Sequence, residues 1–151
     1  SSTRETEYHA KIFKGIRILD KKNNLCETFS VLSPMRVEVE LGDNDIYPDA
    51  DYGISISTPA GQRVTSFATW MYPKKSKQTP CKLSLDIPQI KYSPGSYRIS
   101  LSATFHSSGE WLDRVENAVI FHVEAADIFR SGKIFTSDYG VLLPEGELDI
   151  G

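Results

Sequence analysis

The chain has 151 residues, of which 40% are hydrophobic and 25% charged, and its formal net charge is −3. This length and composition are typical of one soluble globular domain and argue against a disordered or fibrous chain. The longest unbroken apolar run, Ala118–Phe121, is far shorter than the ~20 residues of a membrane-spanning helix. A mildly acidic domain also lacks the concentrated basic surface that binds nucleic acid or anionic membrane, so we expect neither partner.

Alternation of apolar and polar residues begins after residue 10 and predicts a series of short strands. Residues 1–10 lack this pattern and are predicted to be a linker or a disordered terminus. The first predicted strand places four side chains on one face: Ile12, Lys14, Ile16 and Ile18. The later extended segments are Phe29–Val31, Met35–Leu41, Tyr52–Ile56, Arg63–Trp70, Leu83–Ile87, Tyr97–Phe105 and Val119–Val123.

Turns separate these segments, for example Pro59-Ala60-Gly61 and Ser93-Pro94-Gly95. No window of helical length carries an apolar stripe with helical spacing. The sequence therefore predicts an all-β fold, an immunoglobulin-like antiparallel β-sandwich of about seven to nine strands over residues 11–130.

Residues 131–151 are predicted to form a C-terminal extended segment, because Ile134-Phe135 and Val141-Leu142-Leu143 continue the extended pattern. We expect this segment to be an edge strand or a strand exchanged with a second copy of the chain. The chain starts with Ser1 instead of Met, and its first residues are polar. We therefore expect a processed product or a piece of a longer protein, without a secretory signal.

Two residue groups could suggest metal or disulfide chemistry, and for both we favour the plainer interpretation. Cys26 and Cys81 are too few for a disulfide framework and are not spaced like paired zinc ligands, so we expect two buried or half-buried thiols. An EF-hand loop starting at Asp43 would need Gly and Glu where Pro48 and Ile54 stand. A solvated acidic connection is favoured over calcium binding for the acidic group Asp43, Asp45, Asp49 and Asp51.

The catalytic and nucleotide-binding patterns that we sought do not occur. The sequence contains no G-x-x-x-x-G-K-[ST], G-x-G-x-x-G or G-x-S-x-G motif, so we expect no ATP hydrolysis by this chain. Glycoside hydrolysis is a minor alternative, with Glu110 or Asp113 as its carboxylates, and Glu116 lies nearby in sequence. We expect surface or hydrogen-bonded roles for the histidines His9, His106 and His122. We also expect a solvated loop at Lys74, Lys75 and Lys77, with phosphate binding less favoured.

The outward face of the predicted strands has an unusual composition. If Tyr97, Ile99 and Leu101 point into the core, strict alternation turns the intervening polar residues outward. This outward set comprises Ser55, Ser57, Arg98, Ser100, Ser102, Thr104, His106 and His122. Solvated sheet faces usually carry long charged side chains. A face of small hydroxyls leaves room for a ligand to lie flat and exchange hydrogen bonds.

Aromatic residues could border this face. Trp70 with Tyr72 ends one predicted strand, and Trp111 follows a Ser/Gly loop. Aromatic rings stack on the C–H side of sugars, while hydroxyl, imidazole and guanidinium groups satisfy sugar hydroxyls. The pattern favours a carbohydrate-binding surface. The alternative is that Ser and Thr merely tolerate strands and that the tryptophans cap the two ends of the core.

Several segments, in this order, also resemble a known family. They are Ile16-Arg17-Ile18-Leu19-Asp20, Ser33-Pro34-Met35-Arg36-Val37-Glu38-Val39, Tyr52-Gly53-Ile54-Ser55-Ile56, Gly61-Gln62-Arg63-Val64, Ser93-Pro94-Gly95-Ser96-Tyr97-Arg98-Ile99-Ser100-Leu101, Phe121-His122-Val123 and Gly132-Lys133-Ile134. Together they resemble the C-terminal carbohydrate-binding domain of the ATP-binding subunit of bacterial O-antigen polysaccharide ABC exporters.

The resemblance implies an accessory, non-catalytic domain without a cofactor. Such a domain would bind lipid-linked O-antigen polysaccharide at its non-reducing end. It would lie in the cytoplasm at the inner face of the inner membrane, next to the transmembrane exporter subunit, and would form a homodimer. The alternative function is a protein-interaction or adhesion β-sandwich in which the Ser/Thr-rich face is a protein interface.

Overall fold

The structure, a computed structural model, describes residues 3–4, 11–42, 47–73 and 80–151. Its strands are β1 (Thr3–Arg4), β2 (Phe13–Leu19), β3 (Thr28–Ser30), β4 (Met35–Leu41), β5 (Ala50–Ser57), β6 (Arg63–Ala68), β7 (Lys82–Ile87), β8 (Gly95–Phe105) and β9 (Trp111–Glu124). The helical pieces within these ranges are two short 3₁₀ turns, Thr69–Met71 and Ser137–Tyr139. None of the described helical segments has the length and apolar character needed to traverse a bilayer.

The strands form two sheets whose inner faces share one hydrophobic core. The larger sheet has the order β1-β9-β8-β5-β6, with β3 added beside β9, and the smaller has the order β2-β4-β7. The predicted all-β sandwich is confirmed. One pair departs from the antiparallel expectation, since β3 runs parallel to β9. Parallel pairing requires a long crossover, which here is the whole chain between these two strands.

Alternation along the strands produces the core as expected. In β8, Tyr97, Ile99, Leu101 and Ala103 are buried, and the residues between them are partly exposed. β4 contributes Met35, Val37, Val39 and Leu41 from the opposite sheet, and β5 contributes Tyr52, Ile54 and Ile56. Tyr97 also stacks on Phe121 of β9, with ring centroids 5.5 Å apart.

Two strands differ from the prediction because a bulge interrupts their alternation. In β2 the register shifts between Phe13 and Gly15, so Ile12 and Phe13 are both buried while Lys14 is exposed. β9 begins at Trp111, well before the predicted Val119–Val123. Its register against β8 is irregular near Asn117, whose φ of 53° is left-handed. A bulge adds residues to one strand and so hides the period of two.

A buried carboxylate connects the two sheets. Asp113 of β9 is fully buried, and its Oδ2 accepts hydrogen bonds from the backbone N–H groups of Ile12 (2.7 Å) and Phe13 (3.1 Å). Its Oδ1 accepts from the N–H of Arg114 at 2.8 Å. Asp113 therefore holds the start of β2, in the smaller sheet, against β9 of the larger sheet.

The outer face of the smaller sheet carries long charged side chains. Glu38 of β4 is paired with Arg17 of β2 and, at 3.2 Å, with Lys82 of β7. Hydrogen bonds from Arg17 and then from Lys82 lower the pKa of Glu38. Arg36 and Asp86 form a second cross-strand pair at 2.7 Å. This face has the composition of an ordinary solvated sheet.

Both cysteines are free thiols, and one departs from the expectation of burial. Cys26 is half-buried, and its Sγ donates to the carbonyl of Thr28 at 3.1 Å. Cys81 is exposed, because it precedes β7 at the rim of the smaller sheet. Its backbone carbonyl is nevertheless engaged, accepting from the N–H of Leu41 at 3.0 Å.

The segment after β9 folds back onto its own chain. The N–H of Ser93 donates to the carbonyl of Val141 (2.7 Å), and the N–H of Leu143 donates to the carbonyl of Lys91 (2.9 Å). Phe135 is buried and stacks on Tyr139, with centroids 5.7 Å apart. The predicted extended segment thus adds to the sandwich near Lys91–Ser93.

Several predictions concern residues outside the described ranges. These are the linker at residues 1–10 apart from β1, the loop at Lys74, Lys75 and Lys77, the acidic residues Asp43 and Asp45, and His9.

Candidate functional site

Cross-strand register brings the outward-facing residues of β6, β5, β8 and β9 together in rows across the larger sheet. Partners in one row point to the same face. Successive rows contain Arg63, Ser57, Arg98 and Ile120; then Ser66, Ser55 and Ser100; then Ala68, Gly53, Ser102 and Arg114; and finally Asp51, Thr104 and Trp111. The second and third rows carry mainly small side chains, unlike the outer face of the smaller sheet.

These rows form the floor of an open groove with a volume of about 480 Å³. The predicted site residues that line it are Ser55, Ser57, Trp70, Arg98, Ser100, Ser102 and Trp111. The groove also includes residues that the sequence analysis did not select, notably Arg63, Ser66, Arg114, Glu116 and Asn117. We call this space the sheet-face groove.

The other predicted site residues lie outside the sheet-face groove. Thr104 shares the larger sheet's outer face, in the row beside Trp111. Tyr72 is exposed just after the 3₁₀ turn. His122 is on the same sheet, but its Nδ1 is hydrogen-bonded to Ser96 Oγ at 2.8 Å. Six residues along β8 separate Ser96 from Ser102, a distance of roughly 20 Å.

His106 lies outside the groove but belongs to a hydrogen-bonded chain that supports it. Its Nδ1 is 2.6 Å from Asp51 Oδ2, and this hydrogen bond, followed by the negative charge of Asp51, raises the pKa of His106. Asp51 Oδ1 accepts from Thr69 Oγ1 at 3.2 Å, and that hydroxyl oxygen accepts from the N–H of Tyr52 at 3.0 Å. Thr69 begins the turn that carries Trp70, so this chain fixes the turn to β5.

Two tryptophans border the groove and remain accessible. Trp70 is 59% exposed and Trp111 is 41% exposed. The guanidinium of Arg114 lies 4.9 Å from the centroid of the Trp111 ring, and Arg114 is also paired with Glu116. A guanidinium over a ring face is a favourable cation–π contact that restrains the ring. The groove thus has an aromatic end.

The serine hydroxyls of the second row differ from one another in their hydrogen bonds. Ser100 Oγ accepts from the N–H of Asn117 at 3.0 Å, so it satisfies the backbone of the β9 bulge. Ser66 Oγ is buried and has no hydrogen-bond partner among the described residues. Buried hydroxyls without a partner are costly and uncommon in proteins. The Ser66 hydroxyl therefore lies beneath the groove floor, where a ligand in the groove does not reach it.

Gly53 keeps the floor of the groove low. A Cβ at this position would lie 2.5 Å from Ser102 Oγ, closer than real contacts allow. Its backbone is extended within β5, so space and not conformation is the reason for glycine here. Because Gly53 has no side chain, the Ser102 hydroxyl lies over its backbone and the space above the third row stays open.

The arrangement offers little for hydrolytic or metal chemistry. Asp113, one carboxylate of the hydrolase alternative, is buried and occupied by backbone donors. In the ranges that the structure covers, no group of three or more His, Cys, Asp or Glu is placed to hold a metal ion. The site consists of hydroxyls, arginines and indole rings, which bind by hydrogen bonds, charge and stacking.

Comparison with known proteins identifies a family and a structural likeness over nearly the whole chain. The family model described as the Wzt C-terminal domain matches residues 1–137. The crystal structure of the C-terminal domain of Wzt superposes with a TM-score of 0.71 at 14% identity, covering 99% of this chain and 89% of that one. A comparison with curated protein sequences finds no match.

The soluble domain of PmoD from Methylocystis sp. (Rockwell) is a more distant likeness. Its TM-score is 0.45 at 12% identity, with 75% of this chain and 97% of that one covered. At that level the likeness supports no argument about this chain.

Proposed function

The chain belongs to the Wzt C-terminal domain family, and on this premise we propose that it is a non-catalytic domain that binds polysaccharide. The ligand in this proposal is lipid-linked O-antigen, recognised at its non-reducing end. The observation that carries the proposal is the sheet-face groove, a floor of small hydroxyls bordered by the exposed rings of Trp70 and Trp111.

The groove matches the two kinds of surface that a sugar presents. The C–H faces of sugar rings are apolar and stack on indole rings, here Trp70 and Trp111. Sugar hydroxyls exchange hydrogen bonds with Ser55, Ser57 and Ser102. Water competes for every one of these bonds and the groove is open, so we expect a Kd of roughly 10⁻⁵ to 10⁻³ M.

In the full-length protein we propose that the domain assists an ABC exporter. Its ATPase domain would lie on another part of that protein, and its place would be the cytoplasmic face of the inner membrane beside the transmembrane subunit. A homodimer is part of this proposal. The segment that pairs with Lys91–Ser93 in its own chain could make the same hydrogen bonds to a second copy, as in strand exchange.

A matched pair of variants tests the glycan site. Ser102→Trp places a large side chain on the groove floor, whereas Ser96→Trp makes the same change on the same face of β8, outside the groove. We first screen the wild-type chain on an array of bacterial glycans and then titrate the best ligand by calorimetry. We expect Ser102→Trp to abolish binding and Ser96→Trp to retain it, with both variants folded by circular dichroism.

Two outcomes would contradict the proposal. Equal binding by Ser102→Trp and wild type would remove the groove as the site. An array without any hit, together with a stable dimer that buries the sheet-face groove, would favour the alternative function of a protein interface.

A further inference from the structure

The sheet-face groove has a charge opposite to that of the whole chain. The chain carries a formal charge of −3, whereas the charged residues lining the groove are Arg63, Arg98, Arg114 and Glu116, which together give +2. A concave surface of one sign concentrates ligands of the opposite sign. The excess positive charge therefore favours anionic ligands in the groove.

The three arginines are not equivalent. Arg114 is paired with Glu116 and lies over the Trp111 ring. Arg63 and Arg98 make no ion pair or side-chain hydrogen bond with any described residue. On the small sheet, by contrast, Arg17 and Arg36 both have carboxylate partners. Arg63 and Arg98 therefore bring two guanidinium groups without a carboxylate partner among the described residues to the groove.

Register places Arg63 and Arg98 on either side of Ser57 in the first row. One strand lies between them, so their backbones are roughly 10 Å apart. Long arginine side chains can converge over the serine hydroxyl from this separation. A guanidinium presents paired N–H donors that fit the two oxygens of a carboxylate or phosphate. Ser57 supplies a further donor between them.

The groove is thus divided along the strands. Arg98 lies six residues from Thr104, whose row contains Trp111, so the basic and aromatic ends are roughly 20 Å apart. This length accommodates several linked sugars, with one ring at the tryptophans and a charged substituent at the arginines.

We propose that Arg63, Ser57 and Arg98 form a subsite for an anionic group, a carboxylate or a phosphate, carried by the bound glycan. The proposal rests on the proposed glycan-binding function and specifies the class of glycan. A neutral polymer fills only the aromatic and hydroxyl part of the groove. An acidic polymer fills the whole groove.

The test uses matched acidic and neutral ligands with two charge variants. Array hits are first sorted into acidic and neutral glycans. Calorimetry then compares each acidic hit with its neutral counterpart, namely the carboxyl-reduced glycan for uronic acids or the dephosphorylated glycan for phosphates. These two arms distinguish carboxylate from phosphate recognition. The variant is Arg63→Gln/Arg98→Gln, and the control is Arg130→Gln, which removes an exposed arginine outside the groove.

We expect the wild-type chain to prefer the acidic member by roughly tenfold or more, since hydrogen bonds to charged groups exceed neutral ones. The preference should weaken with added salt, persist in Arg130→Gln and disappear in the double variant. Equal binding of acidic and neutral members, a preference that survives in the double variant, or an array with only neutral hits would overturn the subsite and leave the glycan function standing. An array with no hits would overturn both.

Discussion

Replacing Asp113 tests whether this carboxylate connects the sheets or serves a catalytic cleft. Asp113→Ala removes the acceptor of three backbone N–H groups, those of Ile12, Phe13 and Arg114. A buried N–H left without a partner costs about 1–3 kcal/mol. Two of these amides, those of Ile12 and Phe13, lie at the start of β2. These two account for most of the cost, so we expect the free energy of unfolding to fall by roughly 3–5 kcal/mol. The total free energy of unfolding of a domain is only about 5–15 kcal/mol, so this loss would be a large fraction of it.

The assay is urea unfolding followed by tryptophan fluorescence and circular dichroism. Asp113→Asn keeps the shape and one carbonyl acceptor, so a loss of about 1–3 kcal/mol is expected and the variant should fold. Glu110→Ala removes an exposed carboxylate from the same region and should stay within about 0.5 kcal/mol of wild type. An Asp113→Ala chain that unfolds within about 1 kcal/mol of wild type would refute the connecting role.

Three other measurements probe the groove and the core. Asp51→Asn should lower the pKa of His106 in an NMR titration, because Asp51 is the main cause of its raised pKa. In the wild type, the stabilisation from this pair is fully present below pH ~6.5 and disappears as the pH rises through the pKa of His106 in the folded protein. An unchanged His106 titration in the variant would contradict this. Burial raises the pKa of Tyr97 to about 12. Ultraviolet titration should therefore show one tyrosine that ionises well above pH 10, and the free energy of unfolding should decline above pH ~10. Ionisation of every tyrosine near pH 10 in the folded protein would contradict this. The Cβ that Gly53→Ala adds would lie 2.5 Å from Ser102 Oγ. The Ser102 side chain must rotate away, so we expect a loss of at most about 1 kcal/mol in the free energy of unfolding. The loss should be smaller in a Ser102→Ala background, and equal losses in both backgrounds would contradict this.

The sandwich itself was accessible from the sequence because alternation is a local property. The burial of Tyr97, Ile99 and Leu101 follows from a period of two within one strand. The same pattern turned Ser100 and Ser102 outward, and the structure agrees. The beginning of β9 was missed because the bulge at Asn117, with its left-handed φ, breaks the period.

The composition of the groove required information that no local pattern contains. Arg63 and Ser66 join it only because β6 pairs with β5 in a particular register, with an irregularity after Ile56. Arg114 joins it through its pairing with Ser102 across β8 and β9. Long-range register also separates His122 from the groove, although its face and sheet agree with the prediction.

The exposed thiol of Cys81 offers a means of studying binding without obstructing it. It lies at the rim of the smaller sheet, on the layer opposite the groove, while the other thiol, Cys26, is half-buried and hydrogen-bonded. A maleimide dye or biotin should therefore attach preferentially at Cys81. The labelled domain would be tethered to a sensor chip in a single orientation, with its ligand-binding side directed toward the flow.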